Sequence, residues 1–519
     1  MLSRAVRNLE PKFNQYSKIP NNVRKHIDEV LLDPVKLPNF LGVDTKYKKT
    51  QFSSYKINKP ICEYNMVNIN GLNNYFKNYK ESKLLWEKTS FSDKKDVFLK
   101  TADLIENKYY EKMLAYTILG QNKNVYEAEI DSICELVDFL RFNVHYAETI
   151  IEKQPIQTDY IKNISEYNSL NGFVASITPF NFTAIGGNLA SAPLLFGNSV
   201  LWKPSDNAVL SNYLFYKIML EAGLPQGVLN FCPMNPEGFL DVVTKHKELS
   251  LLLFTGSSKV LEDIYTKVGS NIKNYNNFPR IVGESGGKNF HFLGTFTNNI
   301  NENIENVVEK TIESSFNYSG QKCSASSIVY VPENYLDLFI DKMCKNVDMY
   351  VERLENYGLI NNVSFFKTRK LIDELENDSK VDLVYRGKID NLNSYYIEPH
   401  VFLCRDHDHK VFKEEFFAPV LTIFPYNKND MTETVRKCLS SNNYALTGSV
   451  FSDDEIFLND ISFMLRHKTG NFYVNDKSTG SVVGQQPFGG GGKSGTNDKA
   501  GDINLLYKMF NQRNIKRKI

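Results

Sequence analysis

Apolar residues recur at helical spacing through residues 91–150, first as Phe98, Ala102 and Ile105, then as Met113, Ala115 and Leu119. The stretch from Ile130 to Tyr146 repeats the pattern, so this region is expected to be a helical block. Residues 152–171 are polar and aperiodic, which predicts a projecting loop or hairpin. Beyond them the chain changes cadence. Short apolar runs at 173–177, 199–202, 228–232 and 251–254 read as strands, and helices are expected at 187–196 and 207–222. Strand and helix in alternation predict a parallel sheet with covering helices. Ligands of such sheets bind beyond the carboxyl ends of the strands, where Asn181, Lys203, Gly256 and Ser257 fall, so this is a candidate nucleotide site.

A second set of strands is expected at 290–293, 327–331, 421–424 and 448–451, with helices near 301–317, 333–353 and 366–377. The segment 477–502, rich in Gly, Ser and Gln, reads as a structured loop, and no internal repeat is evident. The expected organisation is an N-terminal helical region with a nucleotide-binding domain over 1–283, and a catalytic domain over 284–475. A closing segment follows over 476–519.

Length and charge narrow the class. A chain of 519 residues exceeds one ordinary core and favours two large domains. With 42% hydrophobic and 23% charged residues it reads as a soluble globular protein, and no apolar run approaches the roughly 20 residues that span a bilayer. The net charge of +1 gives no global attraction to nucleic acid or anionic lipid. Seven dispersed cysteines without a Cys-x-x-Cys pair suggest reduced thiols in a reducing compartment. His407-Asp408-His409 lacks supporting ligands at metal spacing and reads as a solvated loop, so no metal is expected. Arg4, Arg7, Lys12, Lys18, Arg24 and Lys25 face only Glu10 in the first 25 residues, which is weakly like a mitochondrial transit peptide. The mitochondrial matrix is therefore the expected location, with the cytoplasm as the alternative.

The chemistry centres on Cys323, in Phe-Asn-Tyr-Ser-Gly-Gln-Lys-Cys-Ser (316–324), and on Glu284, in Gly-Glu-Ser-Gly-Gly-Lys (283–288). A soft nucleophile and a carboxylate, each in a glycine-containing segment, are the minimum for covalent oxidation of an aldehyde. The thiolate attacks the carbonyl, a hydride leaves, and the carboxylate activates the water that hydrolyses the thioester. A single cysteine is more often a small buried hydrophobe, so the argument rests on the pair.

Further motifs accompany the pair. They are Ser-Ile-Thr-Pro-Phe-Asn-Phe-Thr (176–183), Trp-Lys-Pro-Ser-Asp (202–206), Phe-Thr-Gly-Ser (254–257), Ser-Gly-Gln-Lys-Cys-Ser-Ala (319–325) and Glu-Glu-Phe-Phe-Ala-Pro-Val-Leu (414–421). Gly-Glu-Ser-Gly-Gly-Lys-Asn-Phe-His-Phe (283–292) and the run from Gly470 to Gly490 complete the set. From about residue 85 to 505, in this order, they resemble the aldehyde dehydrogenase superfamily, and within it the pyrroline-5-carboxylate dehydrogenase branch. The resemblance implies an α/β aldehyde dehydrogenase fold with a Rossmann-like NAD-binding domain, an α/β catalytic domain and an oligomerisation hairpin at 152–171.

It also implies roles. Cys323 is the expected nucleophile, Glu284 the base for deacylation, and Asn181 the side-chain amide of the oxyanion hole, although Pro-x-Asn is also common turn chemistry. Ser176, Pro179, Lys203, Asp206, Gly256, Ser257, Glu415 and Phe417 correspond to the NAD site. An acid beside the adenosine ribose disfavours the phosphate of NADP, and Asp206 is shorter than the glutamate many relatives carry there. Leu261 replaces a second glycine of many relatives, and Ala418 stands where glycine is usual. For the substrate, Gly480 and Ser481 with Ser324 match a loop that holds an α-carboxylate through N–H and O–H donors. Phe182 and Phe488 match the aromatic pair around an aliphatic stem, a pair that on pattern alone is equally well plain core.

The resulting expectation is NAD-dependent oxidation of L-glutamate γ-semialdehyde, from pyrroline-5-carboxylate, to L-glutamate, the second step of proline degradation. A homo-oligomer is implied, and a proline dehydrogenase is a conceivable partner. Another semialdehyde dehydrogenase, such as one for succinate semialdehyde, is the nearest rival, and would call for a basic anchor in place of Gly480-Ser481. A silent protein of the same fold has no need of Cys323, Glu284 and Asn181 together. Glu284 also argues against a phosphorylating enzyme. The basic tail 514–519 is expected to be solvated.

Overall fold

The strand Phe173–Ile177 is buried along its first four residues, which is why its apolar run does not alternate. In this computed structural model, which describes residues 6–42, 47–353, 358–390 and 395–519, it is the centre of a five-stranded parallel sheet. The order is Leu229–Phe231, Val200–Lys203, Phe173–Ile177, Leu249–Thr255, Arg280–Glu284. The chain fills one side of Phe173–Ile177 and then the other, so a topological switch point lies between it and Leu249–Thr255. Thr178 to Asn181 and Gly256-Ser257 leave the sheet there. The last strand and the helices Pro236–Val243 and Ser258–Ser270 go beyond the elements expected from the sequence.

The second sheet has seven strands: Val381–Tyr385, His400–Cys404, Val420–Tyr426, Ser326–Pro332, Asn289–Leu293, Thr447–Phe451 and Asn471–Val474. All pair in parallel except the edge strand Val381–Tyr385. Alternation decides its two cores. Phe290, Phe292, Ile328 and Tyr330 join Phe365, Ile372, Val435 and Ile461 on one face. Leu293, Val329 and Val331 join Ile304, Val308, Phe339 and Met343 on the other. The helical block of residues 91–152 packs instead with the first sheet, in a core that includes Phe98, Ile133, Trp202 and Leu252.

Four details differ from expectation. The helix predicted from 187 begins at Thr183, and no local side chain caps it. Its first N–H groups, of Thr183 and Ala184, donate instead to the carboxylate of Asp131, at 3.0 and 2.8 Å. A cap supplied from a distant helix leaves no local signal.

The 152–171 segment is not a self-contained hairpin. Its strand Ile161–Asn168 pairs antiparallel with the C-terminal strand Asn511–Lys518, Ser165 opposite Asn514. The tail expected to be merely solvated is thus half of a two-stranded arm, with Arg513 donating to Glu166 at 2.7 Å.

From Val6 onward the basic N-terminal segment belongs to the folded body, whereas Arg4 lies outside the described residues. The N–H of Leu9 bonds Asp138 at 3.0 Å, and those of Lys12 and Phe13 bond Glu129 at 2.9 Å. The helix Asn21–Leu32 then buries Val23, Ile27 and Val30. His407 and His409 form a packed turn rather than a solvated loop: His407 stacks on Phe412 and His409 meets Asp378 at 3.0 Å.

The C-terminal strand covers the N–H and C=O groups of Ile161–Asn168. Deleting residues 511–519 is expected to lower Tm and to raise static light scattering, because an unpaired edge recruits other chains. Differential scanning calorimetry with light scattering checks both effects.

Candidate active site

Cys323 sits in a loop whose backbone is unusual. Tyr318, Ser319 and Gly320 follow one another at positive φ (54°, 53° and 67°), and only the last is a glycine. Such a run costs on the order of 1–3 kcal/mol for each non-glycine residue and survives only where the surroundings over-determine it. They do so here. Tyr318 Oη donates to Gln121 O at 2.8 Å, and a side chain at position 320 would run into the carbonyl of Ala418. The Gln321 amide bonds Tyr318 O, Gly358 O and the N–H of Ile360.

Both sheets then fix the nucleophile. Asn289 Nδ2 donates to Cys323 O at 2.7 Å and Ala325 O at 2.9 Å, while its Oδ1 accepts the N–H of Thr447 at 3.0 Å. Gly287 lies so close that an added Cβ would meet Cys323 O at 2.5 Å. From the first sheet's turn, Asn181, buried, donates Nδ2–H to Gln321 O at 3.1 Å, which leaves its second amide hydrogen beside the cysteine loop.

Glu284 ends the last strand of the first sheet and is also drawn toward the C-terminal loop, through a bridge to Gly495. Its Oε1 is buried without a hydrogen-bond partner, and a Cβ at Gly489 would stand 2.8 Å from it. Burial pushes this carboxyl up to about 8, against the downward pull of the Lys499 ammonium and the Gly490 N–H. Cys323 does not sit in an electropositive setting. Burial, with the nearby charges of Glu284 and Glu415, raises its pKa, and backbone N–H groups only partly oppose this. The free site therefore holds a thiol next to a base with a pKa near neutrality.

The predicted cofactor residues gather at the carboxyl end of the first sheet, with one exception. Ser176 is fully buried, and its hydroxyl donates to Leu189 O at 2.8 Å, which places it beneath the cleft rather than in it. Pro179 is half-buried at the switch point. Lys203 is buried with Nζ on Pro204 O at 3.0 Å, and burial depresses its pKa. Asp206 accepts Lys49 Nζ at 2.7 Å and Tyr64 Oη at 3.3 Å, so a lysine that sequence reasoning missed partners the acid expected beside the ribose. Gly256 and Ser257 open the helix Ser258–Ser270, capped by the Ser257 hydroxyl. Its N-terminus and the buried lysine suit a dinucleotide's phosphates and ribose.

Facing them, Glu415 accepts the Gly287 N–H at 2.9 Å and fills the space that a side chain at Gly286 would take. Burial lifts its carboxyl to about 7, and Phe417, at φ 55°, meets Phe180 edge-on at 5.9 Å. Lys288 is a further buried cation. Its Nζ lies 4.3 Å from the Phe416 ring centroid without a hydrogen bond, and burial depresses it to about 7.

On the opposite side of Cys323 lies a cavity of about 300 Å³, whose wall includes Phe182, Cys323, Ser324, Gly480, Ser481 and Phe488. Every substrate residue expected from the sequence is thus around one space. Gly480, at φ +86°, makes the turn that aims its loop at the cavity. The loop stands on the helix Ile300–Phe316: Lys477 pairs with Glu313 at 2.9 Å and Ser478 Oγ meets Ser314 Oγ at 2.7 Å. The Ser478 N–H reaches His291 Nε2 at 3.4 Å. Thr311 donates to Val307 O and so accepts from His291 Nδ1, which fixes the neutral tautomer of a fully buried ring. Burial takes that histidine down to about 3.

Sequence reasoning missed the cavity's charges. Lys322 pairs with Glu127 at 3.0 Å, and Glu135, lifted by burial and by the Asp131 charge to about 8, also lines the cavity. Below them the Lys123–Asp131 pair, at 2.8 Å and wholly buried, places the ammonium 4.0 Å from the Phe182 ring centroid.

Both the sequence and the fold have known counterparts. The family model described as "Aldehyde dehydrogenase family" matches residues 45–515. The chain belongs to the aldehyde dehydrogenase family. Similar members include "Delta-1-pyrroline-5-carboxylate dehydrogenase, mitochondrial" of Emericella nidulans, 41% identical over 88% of this chain and 81% of that protein. The Homo sapiens protein of the same name is 40% identical over 83% of this chain and 77% of its own. Among solved structures, the Delta-pyrroline-5-carboxylate dehydrogenase from Mycobacterium tuberculosis bound with NAD superposes with a TM-score of 0.91. It is 32% identical and covers 100% of this chain and 97% of that one. The aldehyde dehydrogenase fold expected from the motifs is thus the fold observed.

Replacing Lys123 with methionine in this aldehyde dehydrogenase leaves Asp131 buried and uncompensated. The expected loss is about 3–5 kcal/mol of stability in urea unfolding, with partial recovery in Lys123→Met/Asp131→Asn.

Proposed function

We propose that this protein oxidises L-glutamate γ-semialdehyde, the opened form of pyrroline-5-carboxylate, to L-glutamate with NAD. One observation carries the reading. Cys323 shares a cavity of about 300 Å³ with the Gly480-Ser481 loop and the Phe182/Phe488 pair. That cavity is sized for a small aldehyde whose far end is a carboxylate. The relatives' printed names support the same substrate. The cavity also carries both signs of charge, Lys322 and Lys477 with the Glu127 carboxylate. This suits a zwitterionic amino acid better than succinate semialdehyde, which has no ammonium to face Glu127.

In the mechanism we infer, Ser324, Gly480 and Ser481 hold the α-carboxylate, and Phe182 and Phe488 exclude water from the stem. The Cys323 thiol gives up its proton to solvent as sulfur bonds to the aldehyde carbon. The Asn181 amide and the Cys323 N–H stabilise the resulting oxyanion. NAD, when bound, supplies the hydride acceptor; Lys203, Asp206, Gly256, Ser257, Glu415 and Phe417 are the residues that would hold it. The thiohemiacetal becomes a thioester as the hydride leaves. Glu284 takes a proton from water, the hydroxide adds to the thioester, and glutamate departs with Cys323 restored. We further infer that the two-stranded arm serves a homo-oligomer, and that the protein works in the mitochondrial matrix, a reading supported by the word mitochondrial in the names of its Emericella and human relatives.

The test is NADH formation from pyrroline-5-carboxylate, succinate semialdehyde and propanal. Preference for the first, abolished in Cys323→Ala, is the expected result, and preference for another aldehyde would overturn the substrate. Asn181→Ala is expected to lower kcat about 100- to 1,000-fold. Glu284→Gln should still give a burst of NADH equal to the enzyme concentration and then stall as thioester, seen by mass spectrometry. Because the base works as carboxylate, wild-type kcat should rise with pH up to about 8 and then level. A rate independent of pH across that range would remove Glu284 from the rate-limiting step.

A further inference from the structure

The cavity that ends at Cys323 has a second end. Its outer lining includes Leu9 and Pro11, residues more than 300 positions from the nucleophile in sequence, together with Cys134, Asp138 and Val483. Pro11 is exposed and Leu9 half-buried, so this end of the cavity opens at the surface.

They are not there by loose contact. Asn8 Nδ2 donates to Asp138 Oδ2 at 2.7 Å and to Val483 O at 2.8 Å, and Asn8 Oδ1 accepts Gln485 Nε2 at 2.9 Å. The Leu9 N–H donates to the other Asp138 oxygen at 3.0 Å. Three residues further on, the N–H groups of Lys12 and Phe13 close on Glu129, which also receives Tyr110 Oη. Asp138 and Glu129 are both buried, 3% and 1% exposed. A buried carboxylate holds its donors firmly, because losing one leaves a charge without compensation. The segment is therefore strapped at both ends, and Asn8 ties it directly to the loop that carries Gly480 and Ser481.

We propose that this N-terminal strap, residues 8–13, is the outer wall of the substrate cavity and sets the longest aldehyde that the enzyme accepts. Leu9 and Pro11 supply the apolar limit. Asn8 is a positioning residue: it acts through Val483 and Gln485 on the neighbouring loop, and so on the distance between the carboxylate site and Cys323. The proposal rests on the cavity being the substrate site, as inferred above.

The test compares kcat/KM for glutamate γ-semialdehyde and for its homologue one methylene longer, in wild type, Leu9→Ala and Pro11→Ala. The long-to-short ratio is expected to rise about tenfold in Leu9→Ala, the lower end of what one methylene is worth in a fitted pocket. Tm and the Kd for NAD should stay unchanged. A second readout needs no turnover. In Asn8→Ala, alkylation of Cys323 by a bulky maleimide, followed by peptide mass spectrometry to separate it from Cys134 and Cys344, should accelerate severalfold. An unchanged ratio in both rim variants, with unchanged alkylation in Asn8→Ala, would overturn the wall. If wild type oxidises neither aldehyde, the substrate reading fails, and the alkylation rates alone still decide whether the strap closes the cavity.

Discussion

Everything at this site depends on a loop that would not hold its shape alone. Tyr318, Ser319 and Gly320 stand together in the left-handed region, and the strain is held by neighbours drawn from both sheets. Asn181 comes from the first sheet's turn, and Asn289 and Thr447 from adjacent strands of the second. Gln321 fastens the loop to Gly358 and Ile360. The reactive sulfur is thus located by the junction of two domains rather than by either one. This is why its hydrogen-bonding neighbours are spread over some 270 positions of sequence. In the proposed mechanism a rigid placement of this kind lets a single thiol face a hydride acceptor on one side and an aldehyde on the other without rearranging.

The same burial that fixes the residues also sets their charges. Glu284, Glu415 and Glu135 are all lifted toward neutrality by loss of water, and Lys288 is brought down to meet them. A site that kept four such groups fully charged would bear a heavy desolvation penalty. The buried Lys123–Asp131 pair caps the helix Thr183–Ser191 and backs the Phe182 ring.

How far the sequence alone reached follows from where each signal lies. Strands buried on both faces, such as Phe173–Ile177, announce themselves as unbroken apolar runs, and the catalytic pair lay in short, dense motifs. Elements whose support is remote stayed hidden. Thr183–Ser191 has its cap on another helix, and Ile161–Asn168 has its partner strand at the opposite end of the chain. Leu261 looked like a departure from the cofactor motif. In three dimensions it packs into the space that Gly283 leaves, since a Cβ there would collide with the leucine. Asn289 and His291 stood in a motif already singled out, but their roles come from cross-strand geometry that spacing does not encode. Ser176 lies in the same motif as Asn181, and alternation turns its hydroxyl into the core.

The pairing of Ile161–Asn168 with Asn511–Lys518 also orders events during synthesis. The first sheet and its helices are complete once residue 284 has left the ribosome, and domains generally fold as they emerge. The arm that projects from them must then wait with a bare edge for some 230 more residues before its partner strand exists. Arg280, whose guanidinium ends on Lys508 O and Phe510 O, waits with it. The polar make-up of Ile161–Asn168, with Lys162, Asn163, Ser165 and Glu166 in a strand of eight, keeps that edge soluble in the interval. Its composition answers a demand of the nascent chain as much as of the finished fold.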